Sequence, residues 1–291
     1  MTTSELLKKV RQVEIKTRGM VNQVFSGEYH SVFKGRGMEF SEVREYSYGD
    51  DIRKIDWNVT ARANKPFVKI FEEERELTVM LVVDVSKSSQ FGTVTATKNE
   101  IAIEICAVLA FSAIRNNDKV GLIMFSAGVE KFIAPNKGKS HILRLVRELL
   151  SFEPKGTGTN VSAALQYLNN VIKKRSISFI VSDFIDKDYD NALRIVSKRH
   201  DVIAVTLNDP RERELPKIGL IKMKDAESGL ERWIDTSDKG IQASFNQFWK
   251  QHDERMKKAF LSTKVDRITI ETHKPYIRPL VDFFKMREAR V

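Results

Sequence analysis

The sequence predicts an α/β fold: a mostly parallel sheet with helices on both faces, preceded by an N-terminal extension with a smaller β-containing segment. Three observations carry this. Short, continuous apolar runs rich in β-branched residues recur at 77–84, 120–125, 177–183 and 201–207. Helical patterns alternate with them, as in a sheet wound with helices. The chain has 291 residues, 42% of them hydrophobic and 9% aromatic. That is enough for one full core plus an appendage, and too apolar for a disordered chain.

The elements follow in order. Leu6, Leu7, Val10, Val13, Val21, Val24 and Phe25 recur at helical spacing, predicting an amphipathic helix with Ser4 as N-cap and an interruption near Gly19. A loop with Gly27, Gly35 and Gly37 leads into a dense polar block over 37–74. The run 77–84 suits a central strand covered on both faces. Residues 96–116 read as a long buried helix, 120–125 as a strand, and 129–133 as a shorter strand in a hairpin with it. Helices are expected over 139–150 and 161–174, a strand over 177–183, a helix over 190–199, and a strand over 201–207 closed by Asp209-Pro210.

Beyond Arg211 the pattern is less regular. Asp225-Ala226-Glu227-Ser228-Gly229 reads as a turn between two strands, the second over 231–235. A helix over 241–261, a strand over 267–271 and a helix over 275–288 complete the chain. Three segments result. Residues 1–76 hold the first helix and the polar segment packed on the main domain. Residues 77–210 form the α/β core, and 211–291 complete or flank it.

Net charge is +10, from 49 Lys and Arg against 39 Asp and Glu. A basic balance favours anionic partners. The charges are mixed along the whole chain, however, which is how a solvated surface reads. The single cysteine, Cys106, excludes an intrachain disulfide and fits a reducing compartment. No apolar run approaches the roughly 20 residues needed to span a bilayer; the longest candidate, 101–114, is interrupted by Glu104. The first residues show no secretory signal core. A cytoplasmic location is expected, with peripheral membrane association left open.

Parallel sheets of this kind bind ligands beyond the carboxyl ends of their strands. One strand ends in Asp84-Val85-Ser86-Lys87-Ser88, another in Ser182-Asp183, and a helix begins after Gly156-Thr157-Gly158-Thr159-Asn160. These segments offer two carboxylates and a set of hydroxyls, all oxygen ligands, from three loops at one edge. All-oxygen sets suit hard cations, and Mg2+ asks for six oxygens in near-octahedral geometry. Protein groups and waters would fill about five positions, leaving one for an outside ligand. Lys87 would oppose a cation if its side chain turned inward. In a plainer alternative, Ser86 and Ser88 cap the next turn and Asp84 satisfies backbone donors.

Asp84, Ser86 and Ser88 resemble the Asp-x-Ser-x-Ser element of the metal-ion-dependent adhesion site in von Willebrand factor A domains. Thr159 is similar to that family's loop threonine and Asp183 to its second aspartate. The resemblance implies a von Willebrand factor A-like core holding Mg2+, Mn2+ or Ca2+. Ser86, Ser88 and Thr159 would bind directly or through water. Asp84 and Asp183 would act through water and hydrogen bonds, and a partner carboxylate would complete the shell.

A second resemblance spans nearly the whole chain. Gly35-Arg36-Gly37-Met38-Glu39-Phe40, Arg44-Glu45-Tyr46, Gly49-Asp50-Asp51, Arg53, Ile55-Asp56-Trp57 and Ala61-Arg62 resemble the hallmark of the bacterial "domain of unknown function 58" family. Asp209-Pro210-Arg211-Glu212 and Leu215-Pro216 are similar to its later pattern. This implies an adaptor or chaperone partner of a MoxR-type AAA+ ATPase, acting on a client protein and performing no catalysis itself. Physically, the block's Arg, Asp and aromatic residues suit an internal ion-pair lattice fastening the N-terminal segment to the main domain.

Two other functions are weighed. A phosphoryl-transfer enzyme built on a strand-end aspartate and Mg2+ would want a second aspartate as general acid where Ser86 stands. A basic nucleic-acid-binding protein would show an aromatic or helix-turn-helix signature, which the sequence lacks. Gly138-Lys139-Ser140 lacks the leading glycine of a phosphate loop, since position 133 is Ile133. Ser31-Val32-Phe33-Lys34 has none of the other β-lactamase motifs. The five histidines, His30, His141, His200, His252 and His273, show no zinc spacing.

Overall fold

The computed structural model describes residues 3–24, 38–73, 76–92, 96–154, 156–225, 227 and 229–290. Phe25, Gly27, His30, the 31–34 segment, Gly35-Arg36-Gly37, Glu74, Ala226 and Ser228 lie outside the described residues.

The first helix, α1 (Thr3–Val24), is continuous through Gly19, and Ser4 sits inside its first turn. Both details differ from expectation. Nothing within 4 Å crowds Gly19, and tertiary contact holds the helix where propensity alone would break it. Val10 and Val21 are buried in the core, and Lys16–Glu104 and Lys139–Glu14 ion pairs tie the outer face down.

An antiparallel ribbon follows, β1 (Met38–Glu45) with β2 (Phe67–Glu73), and a short helix α2 (Trp57–Ala63) between them. The ion pairs expected here exist, but they lie at the surface and within the ribbon. Arg44 forks onto Asp50 at 2.8 and 2.7 Å, and Lys69 reaches Asp56 at 3.5 Å. The aspartates also serve the backbone: Asp50 accepts from the Ser47 amide, and Asp56 N-caps α2. Trp57 is 70% exposed.

The central sheet begins with β3 (Thr78–Asp84). Thr97 and Glu100 form a reciprocal capping box that starts α3 at Lys98 (Lys98–Arg115). β4 (Lys119–Phe125) and β5 (Val129–Asn136) make the expected hairpin. Next come α4 (Lys139–Ser151), α5 (Val161–Val171), β6 (Ile177–Ser182), α6 (Asp190–Arg199), β7 (Asp201–Asn208) and α7 (Pro210–Arg213). A second ribbon, β8 (Leu220–Lys224) and β9 (Glu231–Asp235), flanks the predicted turn. The chain then adds α8 (Lys239–Thr263), β10 (Asp266–Glu271) and α9 (Ile277–Glu288).

The main sheet runs β10-β7-β6-β3-β4-β5, parallel except for the edge strand β5. Successive residues of β3 feed opposite faces, the period of any strand. Val79, Leu81 and Val83 join the cluster that includes α3, α4 and α9, while Met80 and Val82 join the cluster under α5, α6 and α8. The C-terminal segment completes the core: Arg287 bridges Asp201 of β7 and Asp266 of β10 at 2.7–2.8 Å. Among the described residues, no helix is long and apolar enough to cross a membrane.

This order positions the site. From β3 the chain winds outward to β4 and β5; from β6 it winds the other way to β7 and β10. β3 and β6 are therefore neighbours at a topological switch point, where the flanking loops diverge and leave a crevice. Asp84 ends one of these strands, and Ser182-Asp183 ends the other.

Candidate functional site

Asp84 is buried at this crevice. One carboxylate oxygen accepts from the Ser86 amide at 3.0 Å, the other from the Ser182 hydroxyl at 2.7 Å. No Lys or Arg forms an ion pair with it among the described residues. Burial first, and the Asp183 charge second, push its carboxyl up to about 7.

The Ser86 and Ser88 hydroxyls face each other at 2.9 Å. Ser86 precedes the short 3-10 turn Lys87–Gln90, yet its side chain makes no capping bond. Ser89 takes the backbone role instead, donating to the Ser86 carbonyl at 2.6 Å. The plainer alternative thus holds for one oxygen of Asp84 and fails for Ser86. Lys87 is exposed, so it does not bring the charge conflict that its position in the sequence raised.

Asp183 carries the conflict in another form. Its two oxygens accept from the Ile185 amide at 3.1 Å and from Lys98 at 2.7 Å. Lys98 is 1% exposed and also binds Glu212 at 2.6 Å. Burial pulls the ammonium's pKa down, but the two carboxylates outweigh it and hold Lys98 above its ordinary value. Burial raises Glu212, with Lys98 opposing. Lys98, Ser182 and Glu212 were not singled out as site residues from sequence. Lys98 did leave a signal: a cation in the first turn of a helix runs against the helix dipole.

Thr159 lies half-buried in the loop before α5. That loop needs its glycines. A Cβ on Gly156 would lie 2.6 Å from the Ser126 hydroxyl, and Gly158 has φ +97°. Gly156 donates to Glu130 at 2.9 Å, and Asn160 caps α5 by accepting from the Ala163 amide. The loop reaches the serine loop through a residue of the second ribbon. Glu227 accepts from the Ser88 amide at 3.1 Å with one oxygen and from the Gly158 amide with the other. The rim thus gathers Asp84, Ser86, Ser88 and the backbone just before Thr159, while both Asp183 oxygens are engaged by Lys98 and the Ile185 amide.

The donor set fits a small divalent cation. At Mg–O distances of about 2.1 Å, neighbouring ligand oxygens of an octahedron lie about 3 Å apart; the two serine hydroxyls already do. Lys98 is shared by two carboxylates, Asp183 and Glu212, and the Asp183 charge also acts on Asp84, so carboxyl groups outnumber the ammonium here. Among the described residues no group of three or more His, Cys, Asp or Glu could hold a metal, so such a centre depends on the hydroxyls.

The family described as "Protein of unknown function DUF58" matches residues 42–255. The chain is 27% identical to an uncharacterized protein, Rv1480, of Mycobacterium tuberculosis over 286 residues, covering 97% of this chain and 90% of that one. It is 30% identical to the uncharacterized protein YeaD of Bacillus subtilis over 110 residues, 38% of this chain and 25% of that one. Solved structures with some likeness include BatB from Bacteroides thetaiotaomicron (TM-score 0.48, 15% identity, 74% of this chain and all of that one). Another is the SpRpn10 VWA domain (TM-score 0.39, 10% identity, 72% and 95%). A third is a mussel byssus matrix protein with a zinc-occupied MIDAS motif (TM-score 0.36, 17% identity, 46% and 38%).

Proposed function

The chain belongs to the DUF58 family, and we propose that it is a metal-dependent protein-interaction module, an adaptor or chaperone partner of a MoxR-type AAA+ ATPase. The observation that carries this reading is the pair of hydroxyls, Ser86 and Ser88, hydrogen-bonded to each other at 2.9 Å beside a buried Asp84 that pairs with no Lys or Arg among the described residues. Ser86, Ser88 and Thr159 would hold Mg2+, Mn2+ or Ca2+ through their hydroxyls, with Asp84 and Asp183 acting through water. A cation bound there supplies a coordination position for a carboxylate of the partner protein.

The same geometry disfavours one alternative, phosphoryl transfer from Asp84. A phosphoryl-transfer nucleophile at Asp84 would need a free, approachable oxygen; both of its oxygens accept hydrogen bonds in the interior. Ser86, two residues on, offers no carboxyl to protonate a leaving group. The ATPase partnership rests on the family resemblance. It is tested by pulling down the MoxR-type ATPase with the full chain in Mg2+. Capture is expected for the wild type and lost for Ser86→Ala, Thr159→Ala and wild type in EDTA. Undiminished capture in all three would move the contact elsewhere.

A further inference from the structure

The ribbon formed by β8 and β9 is an unusual element for a folded domain. Every one of its residues is exposed or half-buried. Leu220 and Trp233 are each 65% exposed. Little apolar burial holds it, and such an element opens at low free-energy cost. Among the described residues, hydrogen bonds hold it at its base and at its tip. At the base, Thr236 bonds both ways with Ile218 and Gly219, and Gln242 donates to the Leu215 and Thr236 carbonyls. At the tip, Asp225 accepts from the Glu227 amide at 3.0 Å and sets the turn. The Glu227 carboxylate then joins two loops remote in sequence, through the Ser88 and Gly158 amides.

Those two amides flank the side chains that matter. Ser88 carries one of the paired hydroxyls, and Gly158 precedes Thr159. A carboxylate already stands at the rim where an acidic side chain of a partner is expected, and it comes from the chain's own loosely packed arm. We propose that Glu227 is a built-in acidic ligand of this rim, and that a partner's Asp or Glu binds by displacing it together with the ribbon. This rests on the proposed function for the role of the partner, but the contact itself does not require the metal. A carboxylate held by an arm of the same chain competes at a high effective concentration, so an external acid must exceed it or find the arm lifted. The arm therefore sets a threshold for partner binding.

The test uses the full chain and a disulfide-closed synthetic peptide carrying residues 220–235 as an external copy of the arm. The expected result in Mg2+ is at least tenfold tighter peptide binding to Glu227→Ala than to wild type, with a smaller gain for Glu227→Gln. The same peptide with glutamine at the position of Glu227, its other glutamate at 231 kept, should show no gain. Amide exchange in EDTA should quicken at Ser88 and Gly158 in Glu227→Ala and stay unchanged in the core strands. Equal peptide binding to wild type and both variants, or unchanged exchange at the two amides, overturns the inference. A gain that persists undiminished in EDTA upholds the built-in ligand and overturns the metal reading. Calorimetric Mg2+ binding by the wild type without any peptide gain upholds the metal reading and overturns the built-in ligand.

Discussion

Two clusters in this molecule pair a basic side chain with carboxylates and do different work. In the ribbon of residues 38–73, Arg44 and Asp50 form a two-pronged pair with good geometry, at the surface. At the crevice, Lys98 lies between Asp183 and Glu212 almost out of contact with solvent. Water screens the first pair and would solvate either partner left alone, so an exposed ion pair contributes little to stability. The second group has surrendered its hydration, and each member depends on the others. Density of charge in the sequence is thus a poor guide to its energetic weight. The polar block is dense in charge, yet the described part of it is mostly solvated.

The largest effect is expected at Lys98. Lys98→Met should leave Asp183 and Glu212 buried without a cation and destabilise the fold by about 3–5 kcal/mol, read as a lower urea midpoint. Adding Asp183→Asn and Glu212→Gln to the same chain should recover most of that loss, because the unpaired charges are then gone. A single Lys98→Met variant as stable as wild type would show that this interior is wetter than its burial implies. The smallest effect belongs to the ribbon. Arg44→Ala should leave the urea midpoint within error, even though the Arg44 guanidinium and the Ser47 amide hold the Asp50 carboxyl below its ordinary range. A large shift there would mean that this surface pair is not relaxed by water.

Much of the fold was legible because the core strands announce themselves. The run 77–84 is apolar on both faces, and a strand buried on both faces has no alternation to disguise it. The strand-end position of Asp84 followed directly, and with it the two serines. The first ribbon was harder to read. Its strands carry Glu39, Glu42, Glu45, Lys69, Glu72 and Glu73, and the register shifts between Phe40 and Glu42, which breaks the period of two. Helix limits slipped for local reasons: the capping box at Thr97 moved the start of α3 to Lys98, and α5 ends at Val171 where 161–174 was expected.

The site was legible only as far as sequence neighbours could show it. Ser86 and Ser88 are two residues apart, and their 2.9 Å approach follows from a tight turn at a strand end. Lys98 and Glu212 meet across 114 residues, and Glu227 reaches Ser88 across 139. Nothing local marks Glu227 as more than a turn residue. Only the winding of the chain around β3 and β6 brings these groups to one rim.

The central claim is that the paired serine hydroxyls are metal ligands. Electron paramagnetic resonance of Mn2+ added to the full chain addresses it most directly. A bound-Mn2+ signal is expected in the wild type and lost in the Ser86→Ala/Ser88→Ala double variant, while both chains keep the same unfolding midpoint. The same bound signal in the double variant, or none in the wild type at millimolar Mn2+, would contradict it.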